Sequence, residues 1–118
     1  MNPLSALWER ISFPWSKWQI VVQVEAADEI PIRLPVRGAA LVSQGGRPTW
    51  LAFDCPCGMG HRIMLNLDRS RRPTWRLISQ RPLTVSPSID DEVRGRRCHF
   101  FLQKGRVFWA RRHERVLA

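Results

Sequence analysis

The fold is organised by the stretch Asp54-Cys55-Pro56-Cys57-Gly58-Met59-Gly60-His61, which places two of the three cysteines in a glycine-rich loop beside a histidine. The third cysteine, Cys98, lies directly before His99. Tetrahedral zinc takes four nitrogen or sulfur ligands, and glycines allow a loop to fold tightly around an ion. We therefore predict a loop stabilised by a structural zinc. Its ligands are Cys55, Cys57, Cys98 and either His61 or His99.

The cysteines also bear on the cellular compartment. Free cysteines are often small buried hydrophobes, and three is an odd number, so burial without a metal is the alternative. A disulfide between Cys55 and Cys57 would strain the bond. Residues 1–18 carry Glu9, Arg10 and Lys17 and so lack the apolar core of a signal peptide, and no segment is long enough to cross a bilayer. We expect a cytoplasmic protein with reduced thiols and no membrane partner.

Length and charge limit the classes of function. A chain of 118 residues predicts one domain, 1–118, with a modest core. The net charge of +9 favours an anionic partner, such as nucleic acid, a membrane surface or an acidic protein. The basic residues are scattered, however, and form neither a dense stripe nor a recognised nucleic-acid motif. Nucleic acid is therefore disfavoured as a partner.

The pattern of apolar residues predicts a mostly β domain, of small β or α+β class, with antiparallel hairpins. Short runs of β-branched and aromatic residues are separated by turn residues. The predicted strands cover residues 18–24, 30–34, 39–43, 50–53, 62–67 and 75–78. A hairpin is predicted from 99–103 and 106–110 around Lys104-Gly105, because glycine adopts the positive φ of a tight turn. A short helix is expected over residues 3–10.

A second segment with candidate chemistry is Val85-Ser86-Pro87-Ser88-Ile89-Asp90-Asp91, followed by Cys98-His99. A serine becomes a nucleophile when a base takes its proton, and histidine is the usual base. Ser88 and His99 are the candidate pair, with Asp91 or a backbone carbonyl orienting the imidazole. On composition alone, Ser-Pro-Ser is an ordinary turn sequence and the histidine is distant.

Ordered motifs extend these two segments. They are Phe53-x-Cys55-Pro56-Cys57-Gly58-x-Gly60-His61, Leu65-Asn66-Leu67, Pro73-x-Trp75, Pro87-Ser88-Ile89 and His99-Phe100-x-Leu102-x-x-Gly105-x-Val107-x-Trp109. In this order they resemble a family of small bacterial proteins encoded beside ubiquitin-like conjugation genes. That family is similar to the serine deubiquitinases of bacterial ubiquitination-like operons. The resemblance covers residues 39–110.

The resemblance implies roles for individual residues. Ser88 corresponds to the nucleophile, His99 to its base, and the cysteines to a zinc set. The implied partners are a ubiquitin-like protein, its conjugates and the conjugating enzymes of the same operon. The sequence departs from the family at Met59 and Arg96, where many members have cysteines, and a thioether is a poor zinc ligand. Either Cys98 and His61 complete a rearranged site, or packing replaces the metal.

The sequence thus predicts a serine-dependent, deubiquitinase-like peptidase with a narrow cleft, because a glycine-ended tail is extended and lacks side chains. Two alternatives belong to other classes. One is a non-enzymatic, zinc-dependent binding module for nucleic acid or protein. The other is a zinc metallopeptidase, which needs an open metal position and a base such as Glu92 or Asp54. If zinc took His99, the serine would lose its base.

Overall fold

The computed structural model describes residues 17–110, and two four-stranded β-sheets dominate this part of the chain. The first sheet has the order β1 (Gln19–Val24), β2 (Gly38–Gln44), β3 (Arg47–Asp54) and β4 (Arg62–Asn66). The second has the order β5 (Arg76–Gln80), β6 (Leu83–Val93), β7 (Arg96–Gln103) and β8 (Arg106–Trp109). The mostly β class is confirmed. The helix expected over 3–10 lies outside the described residues.

Neighbouring strands are antiparallel except for β1 and β2, which are parallel. A parallel pair needs a longer connection than a hairpin, and this one contains a single 3-10 turn, Ala27–Glu29. The strand predicted over 30–34 is wrong, because those residues lie in the connection. Pro31 and Pro35 cannot donate to a ladder, and Ile32 is 91% exposed. Within residues 17–110, no helix is long and apolar enough to span a membrane.

The two sheets share one apolar core. Phe53 of β3 is fully buried between Trp18 and Phe100 of β7, with ring centroids 5.5 Å and 6.4 Å apart. Both contacts are edge to face, the arrangement that aromatic quadrupoles favour. Burying these rings against one another packs the inner faces of the sheets together and fixes how β3 and the loop after it lie against β7.

Strands β6 and β7 position the chemistry. Asp91 pairs with Cys98, and Asp90 pairs with His99. Side chains alternate between the faces of a strand, and Cys98 and Phe100 are fully buried whereas Phe101 is 41% exposed. His99 therefore lies on the outer face with Phe101. The segment around Ser-Pro-Ser, which has the composition of a turn, forms part of the longest strand, β6.

Candidate functional site

A cluster of four metal-ligating side chains joins the two sheets. Cys55 and Cys57 follow β3, His61 precedes β4, and Cys98 lies in β7. Their ligand atoms all lie within 4.8 Å of one another. Cys55 and Cys98 are buried, whereas Cys57 and His61 are half-buried. Of the two histidines predicted as the fourth ligand, the structure brings His61 into the cluster and leaves His99 outside it.

The loop between Cys55 and His61 is closed by its own backbone. The N–H of Cys55 donates to the carbonyl of His61 at 3.0 Å, and the N–H of Gly58 donates to the carbonyl of Cys55 at 3.4 Å. Gly58 and Gly60 have φ of +83° and +81°, values that glycine adopts without steric cost. The two glycines thus allow the sharp reversals that return His61 to the cysteines.

The thiols differ in how readily they ionise. Burial raises the pKa of Cys55 to about 12 and also raises the pKa of Cys98. Burial also acts to raise the pKa of Cys57. The N–H of Met59, which donates to its sulfur at 3.3 Å, and hydrogen bonds from the other two thiols act to lower this pKa. The net pKa of Cys57 is lowered. A divalent cation would supply the positive charge that stabilises three neighbouring thiolates.

Asp91 supports this cluster. Its carboxylate lies 3.2 Å from Nδ1 of His61, while Nε2 of His61 lies 3.9 Å from Sγ of Cys98. A carboxylate on one imidazole nitrogen fixes the tautomer and directs the other nitrogen toward a metal. The sequence predicts that Asp91 or a backbone carbonyl orients His99, but the structure places Asp91 on His61, because Asp91 and Cys98 share the inner side of their strand pair.

The candidate catalytic pair lies on the opposite face of the second sheet. Oγ of Ser88 lies 3.0 Å from Nε2 of His99, which is hydrogen-bonding distance. Nδ1 of His99 is buried and has no hydrogen-bond partner within the described part of the chain. The ring of Phe101 lies beside it, with centroids 6.0 Å apart. The described residues therefore form a Ser88–His99 dyad.

The carboxylate nearest to His99 in register is engaged elsewhere. Asp90 accepts two hydrogen bonds from Arg97, at 3.0 Å and 2.7 Å. Arg97 thereby holds the pKa of Asp90 below its ordinary value. Since Asp91 contacts His61 and Asp90 contacts Arg97, neither aspartate orients the imidazole of the dyad.

Trp75 fixes the backbone at Ser88. Its indole Nε1 donates to the carbonyl of Ser88 at 3.1 Å, and its own backbone N–H donates to the carbonyl of Asn66 at 2.9 Å. Nδ2 of Asn66 donates to three carbonyls of the loop that leads to Trp75, those of Asp68, Arg71 and Pro73. The sequence motifs give Asn66 no role. The signal for Asn66 was an amide within the apolar Leu65-Asn66-Leu67.

The other side chains considered in the sequence do not join the dyad. Ser86 pairs with Arg76 of β5 and makes no hydrogen bond with His99. Asp54 is bound by Nε of Arg62 at 2.8 Å on the surface. Glu92 is exposed and lies opposite Arg97. The two bases considered for a zinc-activated water are therefore not presented to the cysteine cluster.

One known family matches most of the described chain. The model of the family described as bacterial ubiquitination-like system serine protease, BubE, matches residues 26–110. The chain belongs to the BubE family. This confirms the resemblance seen in the motifs and the serine-peptidase class, and it implies ubiquitin-like protein partners. No curated protein and no solved structure matches the chain significantly.

Proposed function

We propose that this BubE family protein hydrolyses the bond between the terminal glycine of a bacterial ubiquitin-like protein and its conjugates or precursor extension. The observation that supports the proposal is the 3.0 Å contact between Oγ of Ser88 and Nε2 of His99 within a family of serine proteases. A serine and a histidine at this distance can transfer a proton between them.

In the proposed reaction, Oγ of Ser88 attacks the carbonyl carbon of the glycine while Nε2 of His99 takes the hydroxyl proton. His99 then gives this proton to the departing amine or alcohol, which leaves an ester between the glycine and Ser88. A water molecule, deprotonated by the same nitrogen, hydrolyses the ester and returns Ser88 with its proton. Backbone N–H groups stabilise the negative oxygen formed in each step.

We further propose that the metal held by Cys55, Cys57, Cys98 and His61 is a structural zinc. Three sulfurs and one imidazole nitrogen form one of the usual structural zinc sets, and such sites are closed by four protein ligands. When bound, zinc cross-links the loop after β3 to β7. The cross-link acts beside the dyad, because Cys98 precedes His99 and Asp91 lies three residues after Ser88.

The alternative functions have less support. A metallopeptidase keeps one metal position open for water, whereas this cluster offers four protein ligands. A nucleic-acid-binding module would present a dense basic stripe, whereas the basic residues of this chain are scattered along the sequence. A gel-shift assay with single-stranded and duplex DNA at physiological salt separates this module from the peptidase. We also propose that the protein acts in the cytoplasm beside the conjugating enzymes of its operon.

The proposed function is tested by labelling. The ubiquitin-like protein of the same system is given a C-terminal electrophile and incubated with the full chain. The modified residue is then located by mass spectrometry. We expect one adduct on Ser88, none in Ser88→Ala, and normal labelling in Ser86→Ala. An adduct on a cysteine or on Ser86 would contradict the assignment.

A further inference from the structure

Two strand edges beside the dyad have no strand partner. β4 is the last strand of the first sheet, so its outer edge is unpaired among the described strands. β5 pairs with β6 only as far as Ser86, so residues 89–93 of β6 are paired on the β7 side alone. Unpaired edges present backbone donors and acceptors to another extended chain.

The hydrogen bonds around β4 show which of its residues face outward. The carbonyl of His61 accepts from Cys55, and the N–H of Leu67 donates to Thr49. Bonding residues alternate along an antiparallel ladder. Ile63 and Leu65 thus bond to β3, whereas Arg62, Met64 and Asn66 direct their backbone groups to the open edge. Asn66 confirms the alternation, because its carbonyl accepts from Trp75 on that side.

The same reasoning applies to β6. The carbonyl of His99 accepts from Ala110, so His99 bonds toward β8, and its neighbours Cys98 and Phe100 bond toward β6. Their partners are Asp91 and Ile89. Asp90 therefore directs its backbone groups to the open edge, whereas the register is irregular between Val85 and Ile89 and the alternation does not extend to Ser88.

A cleft separates the two edges. Its volume is about 190 Å³, and its lining consists of residues 62–65 of β4, residues 89–91 of β6 and Trp75. Of the lining residues, Asp91 contacts His61, and Trp75 donates a hydrogen bond to the carbonyl of Ser88. The volume corresponds to roughly six water molecules. The cleft has room for a few residues of extended chain with small side chains.

We infer that the glycine-ended tail of the ubiquitin-like protein binds in this cleft as an added β-strand, held by the edge backbone groups of Met64 and Asp90. The inference rests on the proposed function. A tail without side chains offers only its backbone for recognition, and strand addition satisfies backbone groups in alternation. Ser88 lies beside this cleft, because Trp75, which lines it, donates a hydrogen bond to the carbonyl of Ser88.

The first experiment leaves the protein unchanged. The probe is the C-terminal hexapeptide of the system's ubiquitin-like protein, carrying an aminomethylcoumarin leaving group. Each backbone nitrogen is methylated in turn, and kcat/KM is measured with the full chain. We expect an alternating pattern in which every second methyl group lowers kcat/KM by roughly tenfold, about the effect of losing one hydrogen bond. A pattern without alternation would overturn the inference.

The second experiment changes the edge of β4. Met64→Pro removes the outward N–H, which an edge strand tolerates better than a central one. Met64→Ala removes the side chain but keeps the N–H. We expect kcat/KM for the unmethylated probe to be roughly tenfold lower in Met64→Pro than in Met64→Ala. Equal values in two folded variants would overturn the inference. If Met64→Pro does not fold, the methylated probes decide.

Hydrogen exchange tests whether the cleft is open. In Ser88→Ala, the amides of Met64 and Asp90 should exchange rapidly and become protected when the hexapeptide acid is added. Protection without peptide would show that another segment already covers the edges, and it would overturn the inference.

Labelling with the electrophilic ubiquitin-like protein separates failure of this inference from failure of the proposed function. An adduct on Ser88 with non-alternating probes rejects only the cleft, whereas no adduct on Ser88 rejects both.

Discussion

Cys98 and His99 are consecutive residues of β7 whose side chains point to opposite faces of the second sheet. Cys98 is fully buried in the four-ligand cluster, and His99 lies within hydrogen-bonding distance of Ser88 on the other face. Because successive side chains of a strand point to opposite faces, the metal-ligating cluster and the serine–histidine pair are separated although Cys98 and His99 are adjacent in sequence. His61 lies in the cluster and His99 does not, so this geometry leaves His99 available as the base of Ser88.

Replacement of the nucleophile gives the most direct prediction. Ser88→Ala should lower turnover of a ubiquitin-like fusion by a factor on the order of 10³ or more, because only binding and oxyanion stabilisation remain. Binding of the ubiquitin-like protein, measured by calorimetry, should persist. Ser86→Ala is the matched control, since Ser86 makes no hydrogen bond with His99, and it should retain turnover. Full activity in Ser88→Ala would refute the serine mechanism.

The two histidines should have separable roles. His99→Ala should abolish turnover while metal content and melting temperature stay near those of the unmodified protein, because His99 lies outside the cluster. His61→Ala should instead lower metal content and melting temperature. Elemental analysis and thermal melts, run on both variants, distinguish them. Loss of metal in His99→Ala would assign that residue to the cluster and remove it from the mechanism.

The strands with clear apolar periodicity could be predicted from the sequence. The prediction for residues 62–67 agrees with β4 to within one residue, and the last hairpin forms around Lys104-Gly105 as expected. β6 could not be predicted, because Pro87 and the serines have the composition of a turn. What keeps this segment in the sheet is the pairing of Ser86 with β5 and of residues 89–93 with β7, contacts between residues that are separated along the chain.

The candidate site was only partly visible in the sequence. Residue types and the family resemblance marked Ser88, His99 and the cysteines, but no local pattern could tell which aspartate faces which histidine. The position of Asp91 depends on the register of β6 against β7, and a shift of one residue exchanges the faces of a strand. Register is set by packing of the whole sheet, which a local motif does not encode.

The metal cluster should contribute to folding. Purified protein should contain close to one equivalent of zinc, and Cys57→Ser should lower both occupancy and melting temperature, by about 10 °C or more, because binding to the native state is linked to folding. Met59→Leu is the control, since Met59 is outside the ligand set, and it should retain the metal. A metal-free protein with an unchanged melting curve after chelation would contradict the zinc assignment.

The last prediction concerns Asp91. If Asp91 orients His61, Asp91→Asn should lower zinc affinity by about 10- to 100-fold, as measured by competition with a chelator. Zinc-saturated Asp91→Asn should still react at Ser88 with the electrophilic ubiquitin-like protein. Asp90→Asn removes a partly exposed pair with Arg97, so its zinc affinity should be unchanged. A third member of a catalytic triad would give the reverse result, with normal zinc affinity and a loss of about 10⁴ in turnover. That outcome would move Asp91 from the metal cluster to the reaction centre.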